Sequence, residues 1–303
     1  MGEMKILVLN LYFGKKPDYF DFFVHTCGVN PAIDFLFLVD FEVDFELPAN
    51  VKIVRTFFAD VVEKFQSFFD FPLALDSPYK LTDFQPAYGE LLAEYTAGYD
   101  WWGHCDFDMA FGDLTPVVEA IELNRYVKLF RRGHLTLYLN RSDINSMYRQ
   151  GVGNLDYRNI FATRGFFNFD ETNGIDKIFS DLDMPVYRQE IIADIRTTSP
   201  YLFMTAHANR WGQYFVWDNG KLFCVDGENG KKEYIYIHFQ KRKLGEYYSL
   251  SNLQSNKFLI NQFGIFDFGG IIRVLSYFPN LGHLKRFFWP RIVRRVKGKF
   301  KVE

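Results

Sequence analysis

Two short segments of this 303-residue chain carry side chains able to do chemistry together. The first is Asp106-Phe107-Asp108, which closes the aromatic run Tyr99-Asp100-Trp101-Trp102-Gly103-His104-Cys105. Carboxylates at i and i+2 on an extended strand end project to the same side. Together they can hold one hard divalent cation, with positions left for phosphate oxygens and water. The second is Tyr236-Ile237-His238-Phe239-Gln240-Lys241-Arg242-Lys243, a histidine ending an apolar strand beside three positive charges. His238 can complete a metal site, and Lys241 or Arg242 can neutralise a diphosphate bridged by that metal. Joined, the segments have what is needed to activate a nucleoside diphosphate leaving group. Taken singly, each has a plainer reading: a structural histidine, a solvated basic turn, a chance Asp-x-Asp. The same pattern recurs at Asp181-Leu182-Asp183, which reads as a solvated turn before Met184-Pro185. Position distinguishes Asp106 and Asp108, because α/β sheets bind ligands at the carboxyl ends of their strands.

The elements that must position these residues alternate over the first part of the chain. Residues 5–11, 33–39 and 51–55 read as strands, and Asp18 is placed to cap a helix running to about Cys27. Residues 59–69 and 86–95 carry helical periodicity, and Thr115-Pro116 opens a further helix as N-cap and first turn. This alternation predicts an α/β fold with a doubly wound sheet. Strands then dominate: 135–140, 191–195, and a pair at 214–217 and 222–225 around Asn219-Gly220, a type I′ hairpin signal. One main domain, 1–245, is expected, followed by a C-terminal helical appendage, 246–303.

Composition narrows the partners. Formal net charge is −2, which removes any bulk electrostatic case for nucleic acid. Phe, Tyr and Trp together make up 19% of the chain. Most of these rings should be core, and a minority should face a sugar, a base or a lipid. Three widely spaced cysteines argue for a reducing cytosol, and the first residues lack the apolar region of a signal peptide. Charge is unevenly placed: residues 284–303 hold eight Lys or Arg against Glu303 alone. Phe287, Phe288 and Trp289 accompany them among apolar residues at helical steps, a pattern suited to an anionic membrane surface. A solvated terminal helix or a disordered basic tail is the alternative. The expected location is cytoplasmic, peripheral on the inner face of the cell membrane.

With these residues in view, the chain resembles a bacterial family of surface-polysaccharide glycosyltransferases (capsule, exopolysaccharide, O-antigen) with the GT-A fold. The resemblance runs through Leu9-Asn10-Leu11-Tyr12-Phe13-Gly14 and Tyr79-Lys80-Leu81-Thr82-Asp83-Phe84-Gln85-Pro86-Ala87-Tyr88-Gly89. It continues through Tyr99 to Asp108 and Phe111-Gly112-Asp113, and ends at His238-Phe239-Gln240-Lys241-Arg242. It implies a Rossmann-like mixed central sheet flanked by helices, with Mn²⁺ or Mg²⁺ on Asp106 and Asp108 and His238 as third protein ligand. The ion would sit on the diphosphate of a nucleotide sugar, with UDP favoured. The nucleoside would lie against Asn10, Tyr12, Phe13 and Gly14, where a ring can stack on uracil, and against Asp40, which could instead cap its own turn. Lys80 would reach phosphate or sugar, or serve at the surface. The acceptor would be a glycan or a polyprenyl-linked oligosaccharide. By position in such a fold, Asp194 or Glu190 would be the acid/base carboxylate. The His-Gly then Lys-Pro ending of the galactosyltransferase-like branch is absent here, which weakens the case for Lys241.

Two other classes compete. A nucleotidyl- or phosphotransferase also uses paired carboxylates and metal, but Gly14-Lys15-Lys16 lacks phosphate-loop spacing. A non-catalytic carbohydrate-binding protein would use the aromatics as sugar platforms.

Overall fold

The computed structural model describes residues 4–189, 191–195, 214–226, 230–240, 256–261 and 264–267. The first half runs β1 (Ile6–Tyr12), α1 (Phe20–Gly28), β2 (Asp34–Val39), β3 (Val51–Arg55) and α2 (Phe58–Gln66). A 3-10 stretch (Pro78–Ala87) and the single-turn helices α3 (Tyr88–Leu91) and α4 (Ala93–Thr96) follow. Then come β4 (Trp101–Cys105), β5 (Met109–Phe111), α5 (Thr115–Glu122), β6 (Lys128–Leu129) and β7 (Leu135–Leu139). The short helices α6 (Ser142–Asn145), α7 (Tyr157–Ala162) and α8 (Ile175–Asp181) lead to β8 (Val186–Tyr187) and β9 (Ile192–Asp194). The remainder is strand: β10 (Tyr214–Asp218), β11 (Lys221–Asp226), β12 (Gly230–Tyr234), β13 (Tyr236–His238), β14 (Lys257–Asn261) and β15 (Gly264–Asp267).

The central sheet has seven strands in the order β3-β2-β1-β4-β7-β6-β8. β3, β2, β1 and β4 run parallel, and β7 joins β4 antiparallel, so the sheet is mixed. The order reverses between β1 and β4, and a crevice opens outside the carboxyl ends of adjacent strands at such a switch. The β1 strand is apolar except at Asn10 because both of its faces are covered. One face packs Leu7, Leu9 and Leu11 against α2, the 3-10 stretch and α8. The other packs Ile6 and Val8 with a cluster of rings from α1, β2 and the β4–β5 turn, among them Phe20, Phe23, Phe37 and Phe107. Much of the aromatic excess is therefore core. Trp101 and Trp102 belong there too: Trp102 stacks on Tyr138 at 4.7 Å and donates to Asn145 Oδ1 at 2.7 Å. Gly89 is required beside it, since a Cβ there would lie 2.4 Å from the indole.

A second, antiparallel sheet has the order β12-β11-β10-β14-β15. Its β10–β11 turn is the expected hairpin, with Asn219 at φ 49° and Gly220 at φ 85°, both in the left-handed region that a type I′ turn demands. A third sheet, β5-β13-β9, bridges the other two.

Three expectations are corrected. Residues 257–261 and 264–267 are strands rather than helix, and β14 pairs with β10, so chain on both sides of position 245 shares one sheet. The segment 284–303 lies outside the described residues. Residues 86–95 form the end of the 3-10 stretch and two single-turn helices rather than one helix: Pro86 lies in that stretch, and the backbone leaves helical geometry at Leu92, with φ −123° and ψ 33°. Asp18 does not cap α1; its carboxylate pairs with Lys15 at 3.3 Å, and the helix starts at Phe20. No helix among the described residues is long and apolar enough to cross a membrane.

Candidate functional site

The site is assembled where β4 ends. The Asp106 N–H donates to the His134 carbonyl at 3.1 Å, and Phe107 turns into the ring cluster, which sends its two neighbours the other way. Asp108 is followed at once by β5, whose first residue, Met109, pairs with His238 of β13, while His238 also pairs with Asp194 of β9. The Phe239 N–H closes the arrangement by donating to the Asp108 carbonyl at 2.7 Å. Four ionisable side chains from three distant segments are thus brought to one end of the small sheet.

Their atoms converge on one imidazole. His238 Nε2 lies 3.3 Å from Asp108 Oδ1 and 3.6 Å from Asp106 Oδ2, and its Nδ1 lies 3.0 Å from Asp194 Oδ1. Burial alone would lower the pKa of His238, but Asp108 above all, then Asp194 and Asp106, hold it up to about 10. The second histidine, His134, stacks on His238 at 4.3 Å and contacts the Tyr236 hydroxyl at 2.8 Å. Burial and the neighbouring His238 push its pKa well down, so it is neutral.

Asp106, Asp108 and His238 present ligand atoms within 4.8 Å of one another and could hold a metal ion. His134, Asp194 and His238 satisfy the same distance test. The Asp194 carboxylate is already taken, however, by His238, by Gln240 Nε2 at 2.7 Å and by Arg132 at 3.1 Å. The first set is the better fit, because two carboxylates and one ring nitrogen face each other across the cavity wall.

That cavity has a volume of about 750 Å³, within the roughly 300–1,000 Å³ usual for small-molecule sites. Asn10, Tyr12, Phe13, Asp106, Asp108 and His238 all line it, so six residues singled out in the sequence come together. The Tyr12 ring is stacked on Phe107 at 5.1 Å. Phe13 is mostly buried against Phe58.

Other expected residues sit elsewhere. Asp40 accepts from the Gly14 N–H at 2.8 Å; it pins the β1–α1 loop, and neither residue lines the cavity. Lys80 does not reach the cavity. It is almost fully buried, with Nζ donating to Asp83 at 2.8 Å, to the Ile160 carbonyl at 2.9 Å and to the Gly165 carbonyl at 2.6 Å. A lysine has three donors, and all three are occupied. Asp194 is no free base either. Burial would raise its pKa, but hydrogen bonds from His238 and Gln240 and the adjacent histidines hold it below the usual carboxylate range. Glu190 and Lys241 lie outside the described residues.

The structure adds residues that sequence reasoning passed over. Gln85, Asp170, Glu171 and Tyr19 line the cavity. Asp170 is buried; burial first, then Glu171 and Asp106, raise its pKa well above the usual carboxylate value. Its signal in the sequence was faint: Gly133, where a Cβ would meet the Asp170 carboxyl at 1.7 Å, sits far away in the chain.

Residues 8–268 match the DUF6625 family, a family of unknown function. The chain belongs to this family. No protein of curated function matches it. Among solved structures it is similar to the galactosyltransferase LgtC in complex with donor and acceptor sugar analogues, at 14% identity and a TM-score of 0.38, over 65% of this chain and 77% of that one. It is also similar to mouse xyloside xylosyltransferase 1 in its apo form, at 9% identity and a TM-score of 0.41, over 79% and 98%. A third is a glycosyltransferase involved in glycosylation of the major capsid of PBCV-1, at 8% identity and a TM-score of 0.39, over 79% and 95%. At such scores these likenesses are too distant to assign an activity, which has to come from the site.

Proposed function

We propose that this DUF6625 protein is a metal-assisted glycosyltransferase of GT-A type. It moves a sugar from a nucleotide sugar, with UDP the nucleotide, to a hydroxyl of a glycan or polyprenyl-linked acceptor in surface-polysaccharide synthesis. The observation that carries this reading is the meeting of Asp106, Asp108 and His238 in one cavity at the β1/β4 switch, beside Tyr12 at the end of β1. An anionic pair with one imidazole suits Mn²⁺, and Mg²⁺ less well because it prefers oxygen ligands throughout. When bound, that ion would supply Lewis-acid neutralisation of charge on the departing diphosphate.

The protein's own residues do the rest. Asp194, through its bond to Nδ1, fixes the His238 tautomer so that Nε2 faces Asp106 and Asp108. Arg132 and Gln240 in turn hold Asp194. Tyr12, its ring set by Phe107, stacks on the base. Asp170 and Glu171, side by side in the cavity wall, hold hydroxyls of the donor sugar. In the transfer, the bond from the anomeric carbon to the acceptor oxygen forms as that to the diphosphate oxygen breaks. The hydroxyl proton leaves to a carboxylate, for which Glu190 stays the proposed group. The basic segment 284–303 is proposed to rest on anionic membrane, so its deletion should abolish co-sedimentation with anionic vesicles.

A thermal-shift screen of UDP-, GDP- and CMP-sugars with Mn²⁺ tests the reading. A UDP-sugar should raise the melting temperature and be slowly hydrolysed, and Asp106→Asn should lose both effects. No shift and no turnover with any of the three would overturn it.

A further inference from the structure

We propose that the aromatic rim formed by Tyr79, Phe166 and Phe167 is the acceptor subsite of this cavity. It takes the pyranose ring of a glycan, one of whose hydroxyls donates to Gln85. The inference rests on the glycosyl-transfer reading and adds the place of the second substrate and the side chains that take it.

Four observations support it. Among the described residues only eight large hydrophobic side chains are exposed, and Tyr79, Phe166 and Phe167 are three of them. Tyr79 and Phe166 pack edge to face, with centroids 4.6 Å apart, and Tyr79 lines the cavity itself. Rings left open to water in a cluster mark a surface that something covers.

Gln85 is 2% exposed and lines the same cavity, yet its Oε1 has no hydrogen-bond partner among the described residues. Buried acceptors are almost always satisfied, so this one calls for a donor that enters the cavity. A sugar hydroxyl is such a donor.

The rim is also rigid. Lys80 Nζ holds the Gly165 carbonyl and lies 4.9 Å from the Phe167 ring centroid, while the Asp83 carboxylate accepts from the Phe167 N–H and, at 3.0 Å, from the Phe169 N–H. Both charges are buried, so residues 165–169 are fastened from beneath at several points. This explains why a buried ion pair lies under an exposed loop: it presents a preorganised platform, and preorganisation lowers the ordering cost of binding.

Finally, the neighbours of the rings are polar: Thr82, Gln85 and Asn168 line the cavity next to them. A pyranose offers an apolar C–H face and a polar edge, which matches this mixture. A lipid tail would leave the polar groups buried and unpaired.

The test is a glycan microarray probed with labelled full-length protein, with and without UDP and Mn²⁺. Fluorescent N-methylanthraniloyl-UDP binding and melting temperatures are measured in parallel. The wild type should retain at least one class of saccharide, Tyr79→Ala and Phe166→Ala should each lower that signal at least about tenfold, and Gln85→Leu should lower it further. Nucleotide affinity of the Phe166→Ala protein should stay within about twofold. If no saccharide is retained, or if the rim variants bind saccharide like the wild type, the proposal fails. Loss of nucleotide binding by the wild type is a separate result, which overturns the donor reading while the saccharide arm is still read on its own.

Discussion

Buried charge is held in two ways among the described residues, and the two are built on opposite plans. Lys80 and Asp83 form a closed unit: one cation, one anion, and backbone partners for the remaining donors and lone pairs. Lys128 and Asp176 form a second buried pair at β6, where Arg188 also reaches the Asp176 carboxylate at 3.5 Å. Asp106, Asp108 and Asp194 instead crowd three carboxylates around the single imidazole of His238. A sealed pair needs nothing more and serves the fold. Two carboxylates and a ring nitrogen that line a cavity are instead a donor set that a divalent cation can take.

That contrast can be broken experimentally. The largest effect is expected at the closed unit: Lys80→Ala leaves Asp83 buried without its counter-charge and should cost about 3–5 kcal/mol in guanidinium unfolding. A loss below about 1 kcal/mol would mean that the pair is not a structural unit. Asp106→Asn should behave oppositely, with stability within about 1 kcal/mol of wild type and Mn²⁺ affinity reduced by more than about 100-fold. Titration calorimetry and unfolding on the same sample read both.

The sealed side carries its own pH signature. His104 is buried beside Lys128, and burial first, then that ammonium, lower its pKa to about 3. The folded pKa lies below the unfolded value near 6.5, so the unfolded state binds the proton first and stability falls as pH drops from 6.5 toward 3. Between pH 7 and pH 5 the share due to His104 should be a loss of about 2 kcal/mol, and His104→Phe should remove that share from the slope. An unchanged slope would place the titrating group elsewhere. The smallest effect concerns positioning: Asp194→Asn should weaken Mn²⁺ binding by about 10–100-fold. An Asp194→Asn protein that binds Mn²⁺ normally but loses all turnover would return Asp194 to the role of a base.

What the sequence could reveal about this molecule follows the reach of local rules. The strand–helix alternation was legible because period and turn chemistry are local, as at Asn219-Gly220. Asp106 and Asp108 were legible as a pair because two residues on a strand end share a side. Lys80 was misread because burial depends on Ile160 and Gly165, far along the chain. Asp194 was misread because the β9–β13 register turns its carboxylate onto the back of His238. Asp170 and Gln85 escaped notice since only tertiary folding brings them to the cavity. The strands at 257–261 and 264–267 were hidden in an apolar run that reads equally well as helix.

The most direct measurement is electron paramagnetic resonance of Mn²⁺ titrated into the full chain with UDP, for wild type and for the Asp106→Asn, Asp108→Asn and His238→Ala proteins. One ion per chain should bind to the wild type in the presence of UDP, and each substitution should return that ion to solution. Equal Mn²⁺ uptake by all four proteins would contradict the assignment of Asp106, Asp108 and His238 as the metal site.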